Sequence, residues 1–161
     1  MKFLDKVTSW LKRLFELEKY DFERVIIDKE VVDNIVELAN QTYPKEFIAF
    51  LEGTTENKKF SEHSSKRNES RKKILRIYGL VYQEYFANPS YTVYKFDPPL
   101  TSGIVGSVHS HPGASNYPSM ADLHSFSKKG MVHMIIRLPY RAENIQAYDK
   151  NGNRISFEVV D

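Results

Sequence analysis

The sequence predicts a single mixed α/β domain preceded by an amphipathic helix, and three observations carry that expectation. Its 161 residues suit one domain of ~100–200 residues. Short β-branched and aromatic runs alternate with apolar stretches of helical spacing, and no segment repeats. With 41% hydrophobic and 27% charged residues, including 10 Tyr, 10 Phe and 1 Trp, the chain has the composition of a folded protein rather than a disordered one.

Residues 2–20 place Phe3, Leu4, Val7, Trp10, Leu11, Leu14 and Phe15 on one helical stripe, with Asp5, Lys6, Lys12, Arg13, Glu16 and Lys19 off it. Acidic residues on the polar face favour packing against the domain itself or a second copy of the chain; a membrane surface or another partner is the rival, because a lone Trp flanked by basic residues suits both. The domain itself is expected over 21–161. A strand around 24–27 leads to Asp28, a plausible N-cap, and Val31, Val32, Ile35, Val36 and Ala39 then recur at helical spacing until Pro44 closes the helix. Residues 46–53, apolar except for Glu46 and Glu52, read as a run from the helix end into a buried strand.

Residues 54–73 carry seven Lys or Arg against three Glu and only one large apolar residue, Phe60, so a basic, flexible loop is expected there. Strands are expected at 74–81 and 91–96, whose β-branched and aromatic residues fit a pleated surface, and again at 103–111. A short helix at 119–129, a buried strand at 131–137 and a hairpin over 145–160, turning at Asn151-Gly152, complete the order.

Composition excludes several functions. The chain has no cysteine, which removes disulfide scaffolds, thiol enzymes and thiolate zinc sites, so that any metal must be held by carboxylates and by the five histidines, His63, His109, His111, His124 and His133. A net charge of +2 and a pI near 8.6 demand no acidic partner. No apolar stretch reaches the ~20 residues of a membrane span, and the first twenty residues lack the pattern of a signal peptide, so a soluble cytoplasmic protein is expected.

His109-Ser110-His111 sets two imidazoles at i and i+2, on one face of a strand and within reach of one ion. Pro112 ends that strand, residues 113–118 turn the chain, and Ser119-Met120-Ala121-Asp122 opens a helix whose first turn offers a carboxylate. Two imidazoles and one carboxylate leave a fourth tetrahedral position for water, as in a catalytic zinc site. Each part also has a plainer reading: a surface histidine pair, and a capping-box variant at Ser119 and Asp122. His124 should point away from Asp122 on the helix, His133 reads as a hydrogen-bonded core histidine, and His63 as a solvated loop residue.

Taken together, His-Ser-His, seven residues and Ser-x-x-Asp, with an acid upstream, match the signature of the JAMM (MPN+) metalloproteases without a mismatch, and the chain resembles that family over roughly residues 24–160. The upstream acid falls on Glu46, within Tyr43-Pro44-Lys45-Glu46-Phe47 and ahead of Leu51-Glu52-Gly53; Asn88-Pro89 and Phe96-Asp97-Pro98 also resemble family segments. The resemblance implies an MPN fold, cytidine-deaminase-like, with a curved mixed sheet flanked by helices. It also implies one zinc held by His109, His111 and Asp122, Glu46 as general base and acid, and Ser119 as a donor to the oxyanion. Glu52, the rival acid, is expected at a strand end in solvent.

Family members cleave peptide or isopeptide bonds after the C-terminus of ubiquitin, ubiquitin-like modifiers or sulfur-carrier proteins. Only eight residues, 123–130, separate Asp122 from the next strand, so the insertion that carries a second zinc in eukaryotic deubiquitinating relatives is missing. The implied protein is a minimal prokaryotic or archaeal isopeptidase, deubiquitinase-like or desampylase-like, acting on a ubiquitin-like small modifier. Two alternatives stand beside it: a RadC-like protein associated with nucleic acid, to which the basic loop would contribute, and a non-catalytic MPN scaffold.

Overall fold

The computed structural model describes residues 22–57, 73–82, 103–128 and 130–161. The expected helix at 2–20, the strand at 91–96, the segments at 88–89 and 96–98, and His63 lie outside the described residues. The strands are β1 (Phe22–Asp28), β2 (Ile48–Asn57), β3 (Lys73–Tyr82), β4 (Ile104–His111), β5 (Val132–Arg137), β6 (Ile145–Asp149), β7 (Arg154–Ile155) and β8 (Glu158–Val160). They form one mixed sheet ordered β7-β6-β5-β4-β2-β3-β1-β8. Parallel pairs join β1 to β3 and β8 and join β4 to β5, while the other neighbours run antiparallel. Parallel neighbours need a crossover. Between β4 and β5 that crossover contains helix α2 (Met120–Phe126), and helix α1 (Lys29–Thr42) follows β1.

Side-chain alternation gives the sheet two faces. Val31, Val32, Ile35 and Ala39 of α1 are buried in the main core with Leu51, Ile77, Val108, Met134 and Ile136. Each of these side chains except Ala39 contributes ~1.5–3 kcal/mol by leaving water. Ser107, His109 and His111 of β4 face the other way, toward Phe126 of α2, which packs with Leu123, Ile135 and Tyr148. The metal motif lies on this second face, where a short helix covers the sheet and leaves a cleft.

Three expectations are corrected, and a fourth, Asp28 as N-cap, holds without a side-chain cap. The segment 54–73 is not loop throughout: Thr54 to Asn57 extend β2 and pair with Lys73 to Arg76 of β3, because β-branched Thr54 and Thr55 find an antiparallel partner. Glu52 is not at a strand end. It sits half-buried inside β2 beside Gly79, where the register shifts between Glu52 and Gly53. Asp28 holds the N-cap position without a side-chain cap, since its Oδ1 accepts from Arg76 Nη2 at 3.0 Å. The C-terminal hairpin ends at Ile155; Glu158–Val160 cross to the opposite edge and pair in parallel with β1, where Glu158 forms an ion pair with Arg24.

Candidate metal centre and catalytic cleft

Strand pleating carries His109 and His111 to one face, and their Nε2 atoms lie 3.1 Å apart. Asp122, in the first turn of α2, brings Oδ1 within 3.2 Å of His109 Nε2 and Oδ2 within 3.5 Å of His111 Nε2. Ligands placed tetrahedrally around zinc, each ~2.0–2.1 Å from the ion, stand ~3.3 Å from one another. The three side chains therefore have both the donor chemistry and the spacing for zinc, and among the described residues they are the one such cluster.

Neighbouring groups hold this arrangement. His111 Nδ1 donates to the Ser115 carbonyl at 3.0 Å, which fixes the tautomer and frees Nε2 to act as a ligand. Tyr140 donates its hydroxyl to the His111 carbonyl at 3.2 Å. Ser119 caps α2 in a reciprocal box: its Oγ accepts from Asp122 N at 3.2 Å, and its N–H donates to Asp122 Oδ2 at 2.7 Å. The hydroxyl proton also points to Asp122 Oδ2, at 2.7 Å. The cap thus uses an acceptor lone pair of Ser119 and leaves its proton as a separate resource, so capping and donation to a substrate do not compete for one site.

Burial alone would push the Asp122 carboxyl up, but hydrogen bonds from His109, His111 and Ser119 hold it far below the usual carboxylate range. The same Asp122 contact raises His111, against the opposing effect of its burial. Asp122 is therefore anionic at any working pH, which is the state a cation needs.

A cleft of about 340 Å³ joins these residues to Glu46, Ile48, Phe50, Ser107 and Phe126. Glu46 is exposed two residues before the start of β2, whose Ile48 pairs with His109. The cleft thus brings together all five expected site residues and leaves out Glu52. His124 is exposed on α2. His133 is buried, hydrogen-bonded to Ser107 at 2.8 Å and stacked on Phe126 with ring centroids 4.2 Å apart.

Ser110, Ser115 and Tyr140 were not singled out from the sequence. Ser110 carried one signal: as the residue between two site-facing histidines, it had to point into the core. Ser115 acts through a backbone carbonyl, which no residue type reveals.

A family model of prokaryotic homologs of the JAB domain matches residues 28–149. The chain is 32% identical over 139 residues to a probable metalloprotease of Haloferax volcanii, covering 86% of this chain and 81% of that protein. Its fold is similar to a JAB1/MPN domain protein from Archaeoglobus fulgidus, with a TM-score of 0.59, 25% identity and coverage of 84% of this chain and 98% of that one. It is also similar to a structure described as a JAMM metalloprotease-like zinc site in the proteasome and signalosome, with a TM-score of 0.57, 25% identity and coverage of 86% and 99%.

Proposed function

The chain belongs to the prokaryotic JAB-domain family of JAMM metalloprotease-like proteins, and from that premise we propose that it is an isopeptidase or peptidase cutting after the C-terminus of a ubiquitin-like small modifier or sulfur-carrier protein, with one zinc per chain. The observation that carries this reading is the convergence of His109, His111 and Asp122 with Glu46 at the mouth of one cleft. Zinc, when bound, supplies a Lewis acid and a water whose pKa falls toward ~7. Glu46, lining the same cleft, would hold the proton released there and pass it to the leaving amine. Ser119 turns its hydroxyl from Asp122 toward the carbonyl oxygen as negative charge gathers there. Ser115, through His111 Nδ1, keeps the imidazole oriented throughout. A Gly-Gly terminus suits the approach, because a backbone without side chains can lie close against Ile48 and Phe50 on the cleft wall.

The test combines zinc analysis with cleavage of a ubiquitin-like protein fused through its C-terminal Gly-Gly, comparing the wild type with Glu46→Gln. The expected result is one zinc per chain in both proteins and cleavage by the wild type alone. A Gln variant as active as its parent would remove Glu46 from the mechanism. A chain purified without zinc that never takes it up would leave a non-catalytic scaffold.

A further inference from the structure

On the same sheet face as the metal centre, across the loop of residues 112–119, lies a second and more open groove of about 570 Å³. One wall is Asn116 and Tyr117 of that loop, and the other is Arg137, Gln146 and Arg154, contributed by β5, β6 and β7 in turn. Register places these side chains on the metal face. His111 pairs with Arg137, Ile135 pairs with both His109 and Gln146, and Tyr148 pairs with both His133 and Arg154.

The groove is built around two guanidinium groups, and neither is paired with a carboxylate among the described residues. Arg154 lies over the Tyr117 ring, 4.4 Å from its centroid. Tyr117 is held in turn because the carbonyl of its neighbour Asn116 accepts from the Tyr148 hydroxyl at 2.6 Å. Arg137 anchors one nitrogen on the Leu138 carbonyl at 2.8 Å and keeps its remaining donors for the groove. Two pre-positioned, uncompensated guanidinium groups in one groove favour carboxylates, which they bind through paired, charge-assisted hydrogen bonds. Nucleic acid fits less well, because single strands bind by stacking successive bases on several aromatic faces, whereas this groove offers one ring with Arg154 over one of its faces.

We propose that this groove receives an acidic segment of the polypeptide substrate and so selects among substrates of the reaction proposed above, on which this inference rests. Strands are ~4.8 Å apart, so Arg137 stands about 5 Å and Arg154 about 14 Å along the sheet from the strand of His111. At ~3.3 Å per extended residue, that span places the favoured acidic side chains about two to four residues from the scissile bond.

The test is calorimetric titration of the intact zinc-loaded chain with a ten-residue peptide carrying an internal Glu-Glu pair, and with the same peptide carrying Gln-Gln. The Glu peptide is expected to bind at least about tenfold more tightly at low salt and to lose that advantage at high salt. The preference should vanish in R137Q/R154Q and persist in part in R137K/R154K, with zinc content and melting temperature checked for each variant. Equal binding of the two peptides, no binding of either, or a Glu preference unchanged in R137Q/R154Q would overturn the proposal. So would displacement of the Glu peptide by a neutral-sequence single-stranded oligonucleotide at matched concentration. Because binding needs no turnover, a chain that cleaves nothing yet prefers the Glu peptide through Arg137 and Arg154 would count against the peptidase reading alone.

Discussion

Phe47 and Ser110 exchange hydrogen bonds: the Phe47 N–H donates to Ser110 Oγ at 2.9 Å, and the Ser110 N–H donates to the Phe47 carbonyl at 3.1 Å. Both residues are fully buried. Phe47 directly follows Glu46, and Ser110 lies between His109 and His111. The reciprocal pair therefore fixes the proposed proton acceptor relative to two proposed metal ligands, from the side of the strand opposite the cleft.

Ser110→Ala should accordingly weaken both fold and function. It leaves the Phe47 N–H buried without a partner, at a cost of ~1–3 kcal/mol. For a chain of this size, each kcal/mol lowers Tm by ~2–4 °C. Ser110→Thr keeps the oxygen and should lose less. Thermal melts followed by circular dichroism, paired with kcat on a Gly-Gly fusion, measure both effects. An alanine variant that melts with the wild type would show that the hydroxyl holds nothing.

A second prediction concerns how β4 meets β5. A Cβ at Gly106 would lie 1.7 Å from the Val132 carbonyl oxygen, so the strands can pair at this point only because the side chain is missing. Gly106→Ala should break the pairing that leads to His109 and prevent stable folding. Gly113→Ala is the control, since a Cβ there has nothing within 4 Å. Its stability should stay within ~0.5 kcal/mol of the wild type. Soluble yield and urea midpoints distinguish the two outcomes.

How much of this was legible in the sequence depends on the range of the interaction. The i, i+2 histidines and the acid in the first turn of a helix follow local periodicity, and their side chains meet as that periodicity implies. The Ser119 cap was equally legible, because its partner is three residues away. The role of Ser110 was not, since alternation turns its side chain into the core but its partner lies 63 residues away. Glu52 was misplaced for a related reason: its environment is set by a register shift against β3 and by Gly79, both of which depend on pairing. Glu158–Val160 read as the second half of a hairpin because alternation cannot tell which sheet edge a strand will take.

The two ends of the Ser119 hydroxyl can be separated by substitution. Ser119→Ala removes both the cap acceptor and the donor, and should lower stability by ~1 kcal/mol and kcat by ~10²–10³. Ser119→Asp restores a cap acceptor without a hydroxyl proton. It should recover much of the stability while leaving kcat low. Urea unfolding and kcat on the same two proteins decide the matter, and recovery of both in the Asp variant would assign Ser119 to the helix alone.

The final prediction concerns pH and rests on His133. Burial pushes its imidazole down to about 4 from its ordinary value of 6.5. Its Nδ1 is hydrogen-bonded to Ser107 and its Nε2 makes no well-formed hydrogen bond among the described residues; the Phe126 backbone nearby favours the proton but does not offset the cost of burying the charge. The unfolded chain takes up a proton below pH ~6.5 and the folded chain does not until about 4, so the unfolded state binds more protons in that interval and stability falls as pH drops through it. At ~1.4 kcal/mol per pH unit of difference, the loss from this one group is about 2 kcal/mol between pH 7 and pH 5. Replacing the imidazole by the nearly isosteric, non-titrating amide in His133→Asn should flatten the profile by that amount, whatever it does to absolute stability. Urea unfolding of both proteins at pH 7, 6 and 5 reads the difference in slope. Parallel profiles would mean that His133 is solvated enough to titrate normally in the native protein.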